Sequence, residues 1–192
     1  KVNYKIFPTP RLSIPNSNFT ISEEAIKIYN SEIDIILNIG DLLNFKEINY
    51  KKLIINKGYS KIELNNVNQL LANINKSTKK IVFKKNKLIF LMKDNFFFEI
   101  NDTSSIINHT SDKKELIITG NFLNNKIFIK LNNEIKNKNN LTIKIPDLDI
   151  SIKAFFEAND SNNTNGLFQV EIFNNFLKFN FIKEKKIKIK NG

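Results

Sequence analysis

Residues 166–182 read GLFQVEIFNNFLKFNFI. Apolar side chains alternate with Gln169, Glu171, Lys178 and Asn180 on either side of an asparagine pair. Alternation with a period of two marks a half-buried strand, and asparagine tolerates the positive φ of a tight hairpin turn. A turn at Asn174–Asn175 pairs Phe173 with Phe176, Ile172 with Leu177, Val170 with Phe179 and Phe168 with Phe181. Every second pair is then apolar on one face. A slip of one residue would set Lys178 or Asn180 in that row, so the pattern specifies the register.

The same grammar recurs upstream. ELIITGNFLNNKIFIKLN (115–132) turns at Asn124–Asn125, pairing Phe122 with Ile127, Gly120 with Ile129 and Ile118 with Leu131. KKIVFKKNKLIFLMKDNFFFEI (79–100) reads as three short strands turning near Lys85–Asn86 and Asp94–Asn95. In NLTIKIPDLDISIKAFF (140–156), Leu141, Ile143 and Ile145 share a face, and the register shifts by one after Pro146 and Asp147. Leu148, Ile150, Ile152, Ala154 and Phe156 continue the row, with the proline at a bulge or an edge where its missing N–H is tolerated. Further strands are expected over 32–39 and 46–56.

Helical signal is sparse. Val67, Leu70, Leu71 and Ile74 form one helical stripe, and Gly40–Asn44 suits a single turn. SEEAIKIYN (22–30) fits either a capped helix or an alternating strand. Segments 101–114 and 157–166, rich in Asn, Asp, Ser and Thr, read as loops. The fold class is mainly β. It is an antiparallel, curved groove or a sandwich of meandering hairpins, with one or two short helices. We read residues 1–192 as one β-rich section of a longer protein, with 1–75 preceding a meander over 79–192.

Composition excludes several chemistries. The 192 residues contain no cysteine and one histidine, which removes disulfide frameworks, thiolate zinc sites and histidine-rich metal centres. The five glycines are isolated, so no phosphate-cradling loop can form. His109 lies in the polar stretch SSIINHTSDKK without a nucleophile turn and reads as a solvated loop residue. Asp147 and Asp149 would share a strand face roughly 6.5–7 Å apart. With no tryptophan and four tyrosines, they lack the aromatic platforms of a sugar-cleaving cleft. NDSNNTNG (159–166) lacks the acidic spacing of a calcium loop, and the three Asn-X-Thr triplets follow from asparagine abundance. No catalytic residue, metal or cofactor is expected.

The net charge of +11 suggests a polyanion partner, but Arg11 is the only arginine among 30 basic residues. Lysine lacks arginine's bidentate and stacking geometry. Abundant Lys, Asn, Ile and Phe follow from A/T-rich codons, so nucleic acid is not expected. The densest lysine cluster lies within residues 183–190.

FPTPRLSIPNSNFTI (7–21) is a proline-led strand with Leu12, Ile14, Phe19 and Ile21 apolar. EIDIILNIGDLLNFKEINYKKLIINKG (32–58) adds a strand through Ile33, Ile35 and Leu37, then an Asp41–Leu42–Leu43 turn. A strand through Ile48, Tyr50, Leu53 and Ile55 follows. This arrangement resembles the AsmA family of Gram-negative envelope proteins. The resemblance implies a periplasmic protein tethered to the inner membrane by an N-terminal helix upstream of Lys1. It also implies a likeness to bridge-like lipid-transport proteins, whose β-groove holds acyl chains, and a part in phospholipid movement and outer-membrane assembly. The expected partner is phospholipid or another acyl-chain lipid. Expected lining residues are Ile33, Ile35, Leu37, Ile118, Phe122, Ile127, Leu131, Phe168, Val170, Ile172, Leu177, Phe179 and Phe181. The competing reading is a structural or adhesive β-sandwich in which the same residues form a closed core.

Overall fold

The computed structural model describes residues 2–5, 9–21, 26–38, 50–64, 80–109, 113–134, 138–158, 164–183 and 187–190. The protein is mainly β and largely antiparallel, and it divides into two compact units, Lys1–His109 and Thr110–Gly192.

The first unit contains β1 (Asn3–Lys5), β2 (Arg11–Ile21), β3 (Ile26–Leu37), β4 (Tyr50–Asn56), β5 (Tyr59–Glu63), β6 (Lys80–Met92) and β7 (Asn95–His109). Strands β4 and β5 lie end to end, each pairing antiparallel with β3 and parallel with β6. They amount to one strand interrupted at Lys57–Gly58. Parallel pairing needs a crossover of a dozen or more residues, which the 64–79 connection supplies. The helical stripe expected at Val67–Ile74 falls in this connection and lies outside the described residues, as does the turn expected at Gly40–Asn44. Ile26 and Ile28 are strand residues, which decides 26–30 for β.

One transverse line of bulges crosses this unit. Asn16 in β2, Asn30 in β3, Lys57 and Gly58 between β4 and β5, Lys85 in β6 and Asp102 in β7 all have positive φ, between 48° and 71°. Register puts them at one level: Ser17 pairs Ser31, Tyr29 pairs Tyr59, Tyr59 pairs Lys87, and Asn86 pairs Thr103. An extra residue per strand switches the parity of the apolar row. In β3 the row runs Ile26, Ile28 and then Ile33, Ile35, Leu37; in β6 it runs Ile81, Phe83 and then Leu88, Phe90. Bulges bend strands and raise their twist, so this aligned series creases the sheet.

Polar side chains satisfy the groups that the crease frees from the ladder. Asn86, 1% exposed, donates from Nδ2 to the Lys57 carbonyl at 2.6 Å and accepts from Ser60 Oγ at 3.0 Å. Thr103 Oγ1 donates to the Asn86 carbonyl at 2.6 Å, and Ser31 Oγ to the Lys57 carbonyl at 3.1 Å. Gly58 is required at φ +71°, because a Cβ there would sit 2.2 Å from the Tyr29 carbonyl oxygen.

Two expectations change for this one reason. Lys85–Asn86 is a bulge inside a continuous strand rather than a turn, so 80–109 forms two long strands instead of three short ones. The polar run 101–109 is strand rather than loop, its Thr103 and Ser105 buried at or beside the crease. Polarity there serves hydrogen bonding inside the sheet, not exposure.

The second unit is a meander of sequential antiparallel strands: β8 (Lys113–Phe122), β9 (Asn125–Glu134), β10 (Lys138–Ile145), β11 (Ile150–Ala158), β12 (Thr164–Ile172), β13 (Asn175–Lys183) and β14 (Ile187–Lys190). Its asparagine turns sit one residue earlier than expected. Leu123–Asn124 and Phe173–Asn174 carry positive φ, as does Lys93–Asp94 in the first unit. The asparagine that follows each turn donates its Nδ2 to the carbonyl of the first turn residue. These bonds run from Asn95 to Lys93, Asn125 to Leu123 and Asn175 to Phe173, at 3.2, 2.8 and 3.2 Å.

The second asparagine thus locks the turn from the strand start instead of occupying it. Pairing moves by two residues, to Phe122↔Asn125, Ile118↔Ile129, Val170↔Leu177 and Phe168↔Phe179. A shift of two preserves parity, so the apolar face is unchanged.

Pro146–Leu148 forms a 3-10 turn, and β10 and β11 are a hairpin, Ile143 opposite Ile152, rather than one bulged strand. The proline starts the turn, where its fixed φ suits and no N–H is missed. Residues 157–158 and 164–166, expected in a loop, extend β11 and β12.

Candidate functional site

Register in the second unit assembles apolar side chains into rows perpendicular to the strands. Leu116, Leu131, Leu141, Ala154, Phe168 and Phe179 make one row. Ile118, Ile129, Ile143, Ile152, Val170 and Leu177 make the next. Ile145, Ile150 and Ile172 continue a third, and Phe156, Gly166 and Phe181 a fourth. Six strands at the usual spacing make such a row about 24 Å long. The Phe168 and Phe179 rings stack with centroids 5.2 Å apart. A Cβ on Gly166 would lie 2.5 Å from the Phe181 ring, so glycine admits that ring over the backbone.

Burial on this face is partial. Ile118, Ile127, Ile145 and Ala154 are buried, whereas Leu131, Phe168, Val170, Phe179 and Phe181 are half-buried and Leu177 is 64% exposed. Cover is complete at these single positions of β8–β11 and incomplete along β12 and β13. All the described strands of this unit belong to the one meander.

The opposite face mixes lysine, asparagine and glutamate with a few aromatics, and carries Lys130–Glu115 and Lys138–Glu157 ion pairs at 2.9 and 3.4 Å. An open depression of about 620 Å³ lies toward the ends of β10–β13, with Phe155, Phe156, Phe181 and Ile182 among its walls and Lys138 and Glu157 at its side.

Of the expected lining residues, Ile118, Phe122, Ile127, Leu131, Phe168, Val170, Ile172, Leu177, Phe179 and Phe181 lie in the second unit at positions of one parity. Ile33, Ile35 and Leu37 belong to the first unit. There Ile33 stands in the row Ile14, Ile55, Phe83 and Ile35 in the row Leu12, Leu53, Ile81, Ile107. Sequence reading left the centre of the second unit's face (Leu141, Ile143, Ile150, Ile152, Ala154) out of the site. The signal was present in the alternation of 141–156, but only as a hairpin does that segment bridge the two asparagine-turn hairpins.

In the first unit the Lys87 ammonium, donating to Glu99 at 2.8 Å, and then the Asn101 amide hold the Glu99 carboxyl below the usual range. Partial burial, then Lys80 and Lys84, push the Lys52 ammonium down from its ordinary value. Asp147 accepts the Lys126 backbone N–H at 3.0 Å, and Asp149 lies beyond the 3-10 turn, so the two do not share a strand face. Among the described residues no cluster of metal-ligating side chains occurs, and no helix is long and apolar enough to cross a membrane.

The geometry defines a mainly β protein whose second unit carries an apolar sheet face of multi-strand extent. No protein-family model, curated protein or solved structure matches the chain.

Proposed function

We propose that this protein shields or conducts lipid acyl chains along the apolar sheet face of its second unit, as a non-enzymatic component of a Gram-negative envelope. The observation that carries the reading is the incomplete burial of rows such as Leu131–Phe168–Phe179, half-buried, and Ile143–Val170–Leu177, open at its Leu177 end. A face of this extent gains about 0.8 kcal/mol for each methylene that it removes from water. Affinity of that kind is non-directional and selects for chain rather than headgroup.

The AsmA-like pattern of residues 7–58 supports a periplasmic setting with an inner-membrane tether, and a role in phospholipid movement and outer-membrane assembly. Partial burial favours this reading over an adhesive sandwich, whose core positions would be closed. Titration of delipidated protein with a fluorescent phospholipid tests it: saturable binding is expected, and binding no greater than to a lysozyme control would overturn it.

A further inference from the structure

The connections at 123–124, 146–149 and 173–174 all fall at one end of the second unit, since its strands alternate in direction. This end is unusually apolar. Leu123 is 74% exposed, Phe173 65%, Phe176 58% and Leu177 64%.

Leu123 and Phe173 also hold the first position of their turns at φ +47° and +46°, where Asn, Asp or Gly is favoured and a bulky side chain is disfavoured. The sister turn in the first unit places Lys93 there instead. A strained backbone position occupied by an exposed apolar side chain contributes nothing to folding, and such sites cluster where a surface is used.

The turns are also tied together. Lys126 N–H donates to Asp147 Oδ2 at 3.0 Å and Phe173 N–H to the Asp149 carbonyl at 3.3 Å, so both hairpins are held to the central 3-10 turn. The two hairpins lie four strand spacings apart, about 19 Å.

We propose that this end of the second unit docks on the surface of a lipid bilayer, inserting Leu123, Phe173, Phe176 and Leu177 among the acyl chains. Charge argues for the occupant. From the row of Leu177 out to the turns, the charged residues are Lys126 and Lys144 against Asp147, Asp149 and Glu171, so the end carries no basic excess and matches a zwitterionic headgroup layer and not a polyanion. Geometry argues the same way. Separate protrusions about 19 Å apart suit a fluid surface that closes around each, whereas a folded partner would need a matching pocket for each.

The inference stands apart from acyl-chain holding by the sheet face, because Leu123, Phe173 and Phe176 lie outside its rows, only Leu177 being shared, and its test changes turn residues alone and uses intact bilayers. The test is co-sedimentation of the full chain with dioleoylphosphatidylcholine vesicles, comparing the wild type with Leu123→Asn/Phe173→Asn. Asparagine suits positive φ, so the variant is expected to melt at or above the wild-type temperature. Its vesicle partitioning is expected to fall at least about tenfold, from the loss of two inserting side chains. Wild-type binding is expected to be unchanged between low and high salt.

Absence of wild-type binding, equal binding by the variant, or binding that needs anionic lipid and disappears in salt would each overturn the proposal. Self-association of the wild type that the substitutions abolish would overturn it in favour of a contact between copies.

Discussion

Asn86→Leu tests whether the crease in the first unit depends on its polar hub. The substitution roughly conserves volume, so it isolates hydrogen bonding. Asn86 is buried, and its side chain donates to the Lys57 carbonyl at 2.6 Å and accepts from Ser60 Oγ at 3.0 Å. Leucine orphans the buried Ser60 hydroxyl at about 1–3 kcal/mol, while the Lys57 carbonyl keeps its Ser31 bond and loses one hydrogen bond worth about 0.5–1.5 kcal/mol, giving a loss of about 1.5–4.5 kcal/mol. That is a large fraction of the 5–15 kcal/mol that typically separates folded from unfolded domains, counted as about that range.

The assay is urea unfolding followed by far-ultraviolet circular dichroism. A double-mutant cycle sharpens it. Ser60→Ala alone orphans Asn86 Oδ1, but in the Asn86→Leu background it removes an orphan and is expected to restore about 1–3 kcal/mol. A loss below about 1 kcal/mol for Asn86→Leu, or strict additivity with Ser60→Ala, would refute the hub.

Val170→Asp places a carboxylate in the middle of the apolar rows, between Ile152 and Leu177. Phospholipid-probe affinity is expected to drop about tenfold or more, since an acyl chain crossing that point must desolvate a charge. Lys153→Asp, opposite Gln169 on the other face, is expected to leave it unchanged. Lys52 titrates below its ordinary value in the fold, so between that lowered value and 10.5 the unfolded chain holds more protons and stability rises with pH. Lys52→Gln is expected to raise the melting temperature at neutral pH, by less than about 1 kcal/mol equivalent because the group is largely solvated. The variant should also flatten the alkaline rise, which thermal melts across pH would show.

The apolar face of the second unit was legible because parity is a local property. Whether the turn falls at Asn174–Asn175 or Phe173–Asn174, Phe168, Val170 and Ile172 stay on one side, and only their partners move by two. Turn position was not legible, because an asparagine can serve either inside a tight turn or beside it. Asn125 and Asn175 act from beside it, through side-chain bonds to the Leu123 and Phe173 carbonyls. The price of reading polarity as exposure appears at 101–109. Thr103 is buried there because a bulged ladder needs extra donors, a demand that exists only once β6 and β7 lie side by side.

By itself the sequence determined the strand-rich class, the side on which each apolar residue stands, and the exclusion of cysteine and phosphate-loop chemistry. All of these depend on near neighbours and on composition. Tertiary structure alone decided that β4 and β5 act as one strand and that single bulges in successive strands align into a crease. It also decided that 140–156 folds back on itself, completing rows six strands wide. The first two outcomes depend on pairings between residues far apart in the chain, such as Leu53 with Ile81, which no short window contains; the third depends on a 3-10 turn at Pro146–Leu148, where a proline suits a bulge in a continuing strand equally well.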